Sequence, residues 1–225
     1  MGATEREGPD AKAARAPFPW VSATLIATAV LVFALQTYVE RRWPPKTRAD
    51  ELALTLKFGA LFGPSVRDGE WWRMLSFAFA HGSTLHLAFN MMATSALGVP
   101  LERRIGSLRF LQLSFVVCLG SAALVLLAPR AVPAPTVGAS GIIFGWAGAL
   151  LFLLGRAQVR ELLQMLILNA AISLLPGISW QGHLGGFLFG LPCGLVLRRD
   201  PQAFSARAPI FAAAAGALAI YATYR

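Results

Sequence analysis

Charged side chains are scarce in this 225-residue chain: they make up 14% of it, and long stretches hold none. Soluble domains carry about 25% charged residues. Because a helix needs about 20 mostly apolar residues to span a bilayer, these stretches exclude the soluble classes and predict an all-α, polytopic membrane helical bundle. The uncharged runs are Pro17–Val39, Met74–Leu101, Phe110–Pro129, Ala131–Gly155, Leu162–Leu197 and Ala208–Tyr224.

Cysteine is also rare, and the two present, Cys118 and Cys193, both lie inside uncharged runs. Buried free cysteines behave as small hydrophobic residues, and this pair suggests neither a disulfide framework nor a metal site. His81 and His86 are five residues apart, a poor spacing for sharing a helix face or a metal ion. No internal repeat indicates an inverted-repeat transporter. We therefore expect no metal and no cofactor.

The formal charge of +9 would suit nucleic acid, but the basic residues gather in short clusters between apolar runs. Such clusters are typical of loops on the cytoplasmic side of a membrane. We therefore expect no nucleic-acid partner and a multi-pass protein in a lipid bilayer. Residues 1–16 are polar and mixed in sign, without the pattern of a cleaved signal or transit peptide. This feature and the Ala- and Arg-rich composition favour a bacterial plasma membrane.

Seven spans are predicted, because Pro176-Gly177 divides the longest uncharged run in two. With the N-terminus in the cytoplasm, inner segments hold eleven Lys or Arg residues and outer segments nine. Seven of those nine lie in the long first connection, and long connections count less. The spans are about 20–38, 85–101, 110–128, 140–154, 162–175, 181–197 and 208–222. We expect a polar cytoplasmic N-terminus (1–16), a membrane domain (17–200) and an additional C-terminal transmembrane helix (201–225).

The first connection, about residues 40–83, is partly apolar but too broken by Gly and Pro to span the membrane. We expect short helices lying in the interface there. Near its end, Trp71, Trp72 and Arg73 supply two aromatic rings and a cation, which suit the headgroup level.

Polar side chains inside spans are costly and tend to be functional. Ser140 follows prolines and precedes an apolar helix, so it should stand at a helix N-terminus, where free N–H groups could stabilise an oxyanion. Its span is short, which places the serine a little below the outer surface, in a small water-filled recess. A serine that only caps or packs its helix is the alternative.

Glycines surround a second polar residue, His183. Small residues four apart let helix backbones approach closely, so the fourth and sixth spans should touch on the faces that carry Ser140 and His183. Hydroxyl and imidazole would then be within hydrogen-bond reach, as in an activated nucleophile. A histidine that merely joins two helices is the alternative. The repeats are Gly182, Gly186 and Gly190 around His183, and Gly141 and Gly145 beside Ser140.

Three further side chains could support the pair. Phe144, one helical turn after Ser140, could stack on His183 or simply line the site. His86 and Asn90, also one turn apart, could donate hydrogen bonds to an oxyanion or join helices. Because no carboxylate lies inside a later span, a Ser–His dyad is the economical interpretation. Ile142 stands where a Gly-x-Ser-x-Gly elbow would need glycine.

Taken in order, these motifs resemble the rhomboid family of intramembrane serine proteases over about residues 72–190. The matching pieces are Trp72-Arg73, His81, His86-Leu87-Ala88-Phe89-Asn90-Met91, Glu102-Arg103-Arg104-Ile105-Gly106, Gly138-Ala139-Ser140-Gly141, and His183-Leu184-Gly185-Gly186 with Gly190.

The resemblance implies that Ser140 is the nucleophile and His183 the general base. His86, Asn90 and the Ser140 N–H would form the oxyanion hole. Trp72 and Arg73 would belong to a first-loop motif in the outer leaflet, and Glu102 and Arg104 would tie down the inner end of the second span. The fifth helix and the loop after it resemble the family's substrate gate and cap. Active-site support would come from Phe144, Gly138, Gly141, Gly186 and Gly190.

Several family members have Tyr where Phe144 stands, so this chain keeps the ring and loses the hydroxyl. The expected function is cleavage of transmembrane protein substrates near the membrane surface by acyl transfer. One alternative is a non-catalytic relative that binds transmembrane clients, although such proteins usually lack the serine or the histidine. A small-solute transporter would need more polar residues along a path.

Overall fold

The computed structural model describes residues 17–128, 134–173 and 178–225, and these are mainly helical. The predicted N-terminal segment 1–16, the connection at Pro129 and Pro133, and the Pro176-Gly177 break lie outside the described residues. The helices are α1 (Trp20–Arg42), α2 (Arg48–Lys57), α3 (Gly63–Arg67), α4 (Arg73–Ser76), α5 (Thr84–Ala93), α6 (Val99–Ile105), α7 (Ser107–Leu127), α8 (Ser140–Leu153), α9 (Arg156–Ile172), α10 (Trp180–Arg199) and α11 (Pro201–Tyr224), with a π-helical segment, Thr94–Gly98, between α5 and α6.

The predicted helical membrane bundle is confirmed, with a helical segment at each of the seven predicted places in the described chain. Three helices, α1, α7 and α11, are long and apolar enough to cross a bilayer, and α8 is a shorter apolar helix. α11 begins at Pro201, the start of the predicted segment 201–225 and ahead of the predicted span 208–222, and the Asp200 carboxylate accepts hydrogen bonds there from the N–H groups of Gln202 and Ala203. Proline also suits the first turn of a helix.

The second span runs without interruption through α5, the π-helical segment and α6. Pro100 lies at the start of α6, where its missing N–H and its ring are incompatible with regular helical bonding to the preceding turn. The π-helical segment immediately before it, Thr94–Gly98, provides a wider turn at this point.

The first connection contains the short helices expected there, α2, α3 and α4. α2 begins with a capping box, in which the Thr47 hydroxyl accepts from the Asp50 N–H and the Asp50 carboxylate accepts from the Thr47 N–H. The Asp50 carboxylate also accepts from the Thr47 hydroxyl and the Lys46 N–H, and these bonds, the hydroxyl's first, hold the pKa of Asp50 below its usual range. The capped helix gives the connection an ordered start.

Arg73, which the sequence predicts to suit the headgroup level, is buried, and its guanidinium binds the connection's own backbone. Its Nη1 donates to the carbonyl oxygens of Leu56, at 2.6 Å, and Ala60, at 3.1 Å. Its Nε pairs with Glu70. A guanidinium can donate five hydrogen bonds in a fixed fork, so it binds both the Ala60 carbonyl and the Leu56 carbonyl, which also accepts from the Gly59 N–H. Trp72 stays exposed, with the guanidinium over its ring.

Glu102 joins three helices at the opposite end of the second span. Its buried carboxylate accepts from the N–H groups of Val21 and Ser22, and from the hydroxyls of Ser22 and Ser107, at 2.6–2.9 Å. Arg104 takes no part in this junction and is exposed. Two residues along a helix point to nearly opposite sides, so Glu102 faces α1 and α7 while Arg104 faces outward.

α7, α8 and α10 form the centre of the described bundle, and α8 with α10 makes its most extensive helix pair. α11 packs against α7 and α10, with Phe204, Ala208, Ala215 and Ala219 buried. Arg67 of α3 donates through Nε to the Thr223 carbonyl oxygen at 3.0 Å. The end of α11 therefore lies on the same side of the bundle as the first connection.

Candidate active site

Ser140 and His183, 43 residues apart in the sequence, are in hydrogen-bond contact. Ser140 is the first residue of α8, and His183 lies in the first turn of α10. His183 Nε2 is 2.7 Å from Ser140 Oγ, and both residues are half-buried. The first N–H groups of a helix have no partner within it and carry the positive end of its dipole. The serine hydroxyl therefore stands beside both an imidazole base and unsatisfied donors.

Glycines in α8 and α10 let the two helices approach closely enough for Ser140 Oγ and His183 Nε2 to meet. A Cβ built on Gly186 would overlap the carbonyl oxygen of Gly141, and one on Gly190 would overlap that of Gly145. Helix backbones are in direct contact here, as the small-residue spacing predicts. Gly194, which faces Ala149 in the same way, extends the row by one turn. The predicted contact between the fourth and sixth spans is confirmed.

Phe144 stacks on His183, as its position one turn after Ser140 predicts. The two ring centroids are 4.3 Å apart and the rings are inclined by 5°. The imidazole is thus held in one plane between the phenyl ring and α10. A phenylalanine supplies this contact fully, because stacking needs the ring and not a hydroxyl.

The segment before Ser140 is attached to the first connection. Thr136 and Leu61 exchange two backbone hydrogen bonds of 2.9 Å, and the Gly138 N–H donates to the Phe77 carbonyl oxygen at 2.9 Å. Gly138 has φ +116°, a conformation that L side chains rarely adopt. The first connection therefore positions the backbone that leads into the serine.

His86 and Asn90 lie against the same segment. A Cβ on Gly138 would come within 2.6 Å of His86 Nε2 and 3.7 Å of Asn90 Nδ2. Asn90 Nδ2 donates one hydrogen bond to the His86 carbonyl oxygen at 3.0 Å, and an amide carries a second hydrogen. Both predicted oxyanion-hole side chains thus border the loop two residues before Ser140.

His81 is closer to His86 than helical spacing suggested, with ring centroids 5.1 Å apart in an edge-to-face contact. The spacing argument fails because α5 begins only after Ser83, whose hydroxyl accepts from the His86 N–H. Gln36 of α1 makes two hydrogen bonds of 3.2 Å to the His81 backbone. The sequence analysis missed Gln36, although an amide within a span is itself a signal.

Ser173 is the other residue of the site that the sequence analysis missed. It follows α9 directly, and its Oγ lies 2.6 Å from His183 Nδ1. Its only sequence signal is a hydroxyl inside an apolar run. It precedes the histidine by ten positions, with a Pro-Gly pair among the residues between them, so no helical spacing relates the two.

An apolar cavity of about 380 Å³ adjoins the imidazole between α8, α9 and α10. Among the described residues that line it, His183 and Ser173 alone carry ionisable or hydroxyl groups, and the others are Phe144, Leu163, Leu166, Ile167, Trp180, Leu184 and Phe187. Within the described residues no three His, Cys, Asp or Glu side chains cluster as metal ligands would. The groups available for catalysis at this site are a hydroxyl, an imidazole and nearby N–H donors.

These features define a class: a polytopic helical membrane protein with a Ser–His pair at the starts of two glycine-packed helices. The comparison with protein families then gives the particular family. The Rhomboid domain matches residues 68–200, which is more than half of the chain and includes every site residue described above except Gln36. The chain belongs to the rhomboid family.

Curated relatives agree with this assignment. The chain is 31% identical to RHOMBOID-like protein 5 of Arabidopsis thaliana, over 83% of this chain and 71% of that protein. It is 29% identical to RHOMBOID-like protein 4 of the same plant, over 88% of this chain and 57% of the relative. It is 34% identical to rhomboid protease GluP of Bacillus subtilis (strain 168), over 59% of this chain and 27% of GluP. The aligned region thus spans between about a quarter and 71% of these three proteins.

Proposed function

We propose that this chain is an intramembrane serine endopeptidase that cleaves transmembrane protein substrates near the membrane surface. The observation that carries the proposal is the 2.7 Å contact between Ser140 Oγ and His183 Nε2 at the N-terminus of α8. A nucleophile hydrogen-bonded to a base, with the base oriented by further contacts, is the usual arrangement for covalent catalysis. Membership of a family that includes a protease supports it.

The reaction would be an acyl transfer. Ser140 Oγ attacks the peptide carbonyl carbon while His183 Nε2 accepts the hydroxyl proton. The oxyanion is stabilised by the Ser140 N–H and by His86 and Asn90. His183 returns the proton to the leaving amine, and the C–N bond breaks. Water, deprotonated by the same imidazole, then releases the acyl group.

The setting of the site supports a membrane substrate. Ser140 lies at the end of α8 that adjoins the first connection, whose tryptophans, Trp71 and Trp72, are exposed. Indole rings exposed in this way favour the membrane interface. A substrate bond would therefore be cut near that surface, and the bacterial plasma membrane with a cytoplasmic N-terminus is the setting we propose.

Reconstitution in lipid vesicles tests the proposal. The chain would be mixed with a labelled transmembrane segment that carries small residues near its outer end, and products would be located by mass spectrometry. We expect wild type to cut the segment near the membrane surface, and Ser140→Ala and His183→Ala to be slower by about 10⁶-fold, as for removal of a subtilisin nucleophile or base. Equal cleavage by Ser140→Ala would refute the proposal. Binding of the segment by wild type without cleavage would favour the client-binding alternative.

A further inference from the structure

Ser173 faces the imidazole nitrogen that Ser140 does not contact. Its Oγ lies 2.6 Å from His183 Nδ1, and the residue is 4% exposed. Leu166 and Leu162, one and two turns before Asn169 on α9, are buried as well. A narrow face of α9 thus rests on the bundle, and the Ser173 hydroxyl is its polar end.

The carbonyl behind Ser173 fixes the direction of this hydrogen bond. Ser173 Oγ is 2.7 Å from the Asn169 carbonyl oxygen, which can only accept. We place the single hydroxyl hydrogen on that carbonyl, which also accepts from the Ser173 N–H at 2.9 Å. His183 Nδ1 must then be the donor, so it carries the imidazole hydrogen and Nε2 keeps its lone pair.

We propose that Ser173 is a positioning residue that holds His183 in the Nδ1-protonated tautomer, with the Nε2 lone pair facing the Ser140 hydroxyl. The proposal rests on the proposed function and deepens it. The hydrogen bonds run from the Ser140 hydroxyl to Nε2, from Nδ1 to Ser173, and from Ser173 to the Asn169 carbonyl. In the other tautomer Nε2 would carry a hydrogen and could not accept the serine proton.

The same series of hydrogen bonds faces the positive charge that forms on the His183 imidazole during the reaction. When Nε2 takes the proton from Ser140, the imidazolium keeps its Nδ1–H bond to Ser173. The Asn169 carbonyl belongs to the last turn of α9, where the helix dipole is negative and favours a nearby cation. Ser173 therefore orients the base as a carboxylate would in a triad, without bringing a full charge into the membrane.

Imidazole nitrogen chemical shifts test the tautomer directly. The chain has three histidines, so protein labelled with ¹⁵N-histidine in detergent gives few signals, and the loss of one set in His183→Gln assigns His183. We expect a protonated Nδ1 and an unprotonated Nε2 at neutral pH in wild type. Ser173→Ala should mix or reverse the tautomers, and Ser173→Thr, which keeps the hydroxyl, should restore them.

The matched control is Ser95→Ala, which removes a similar hydroxyl bond, to the Met91 carbonyl oxygen, from an exposed position. It should leave the His183 signals unchanged. Should Ser173→Ala fail to fold, Ser173→Cys replaces the hydroxyl with a weak acceptor of similar shape. A wild-type His183 protonated on Nε2 would overturn the proposal, as would unchanged tautomers in folded Ser173→Ala or Ser173→Cys.

The second readout is the rate at which a fluorophosphonate probe labels Ser140. Ser173→Ala should slow labelling about 10-fold, the value of one neutral hydrogen bond, while Ser173→Thr and Ser95→Ala keep the wild-type rate. Unchanged labelling in Ser173→Ala would overturn the positioning role. An Nδ1-protonated wild type that never labels would support the assignment of Ser173 and count against the proposed function, so the two failures are distinguishable.

Discussion

Two neighbours of α10, α8 and α9, meet it at His183 in different ways. α8 presses glycine backbone against glycine backbone, with Gly186 on the carbonyl oxygen of Gly141. α9 packs lightly, exposes Ile167 and Leu168, and reaches the histidine through the Ser173 hydroxyl. Backbone contacts cannot adjust to added volume, whereas exposed side chains can. The position of the Ser–His pair should therefore be sensitive to changes in α8 and tolerant of most changes in α9.

The largest effect is expected where α8 and α10 touch. Gly186→Ala places a methyl group on the Gly141 carbonyl oxygen, which can move only with its helix. We expect loss of about 3 kcal/mol in the free energy of unfolding, and loss of fluorophosphonate labelling because Ser140 and His183 separate. Thermal unfolding in detergent and the labelling assay measure the two effects.

Gly216→Ala is the matched control, because a Cβ at Gly216 has nothing within 4 Å. Alanine is favoured over glycine in a helix by about 1 kcal/mol, so this variant should be as stable as wild type or more so. A Gly186→Ala protein with wild-type stability and labelling would show that the backbone contact does not set the site.

A smaller effect is expected from a side chain beside the loop that precedes α8. Asn90→Ala removes a proposed oxyanion donor, so turnover should fall by about 10²–10³. Ser95→Ala is the control on the same span, since its side chain likewise donates to a carbonyl one turn back, at Met91. Equal turnover in the two variants would show that Asn90 is not part of the oxyanion hole.

The stacking ring should matter less again. Phe144→Leu keeps an apolar side chain but loses the ring that lies 4.3 Å from the imidazole. Aromatic stacking is worth about 0.5–1.5 kcal/mol, so labelling should slow by about 3- to 10-fold. Phe144→Tyr, which keeps the ring, should label like wild type. Slower labelling of Phe144→Tyr, together with labelling of Phe144→Leu at the wild-type rate, would contradict the stacking role.

The smallest effect is expected on the exposed face of α9. Ile167 is 71% exposed, and substitutions of this kind usually change stability by less than about 0.5 kcal/mol. Ile167→Ala should therefore keep the stability of wild type and label within about a factor of two. Leu150→Ala, in the buried face of α8, should cost about 2 kcal/mol or more. The comparison of α8 with α9 would fail if Ile167→Ala were the more damaging change.

Local spacing explains which features were predictable from the sequence. Gly186 and Gly190 stand four residues apart on one helix, and Phe144 stands four after Ser140, so helical periodicity alone places them on the right faces. The uncharged runs predicted the spans for the same reason: each depends on adjacent residues. The meeting of Ser140 with His183 followed from matching two such patterns.

Contacts made outside regular helices were not predictable in this way. Arg73 binds carbonyl oxygens at the end of α2 and just after it, and no sequence pattern displays such acceptors. His81 was judged by helical spacing although it precedes α5. Ser173 meets His183 only because the tertiary fold brings the end of α9 to the start of α10. The path of a turn depends on tertiary contacts, which periodicity does not contain.

The central claim is that His183 activates Ser140, and fluorophosphonate labelling of the purified protein tests it most directly. Wild type, Ser140→Ala and His183→Ala would be treated in detergent, and the modified peptide identified by mass spectrometry. The account predicts that wild type alone is labelled, on Ser140. Labelling of His183→Ala at the wild-type rate, or a folded wild type that stays unlabelled, would contradict it.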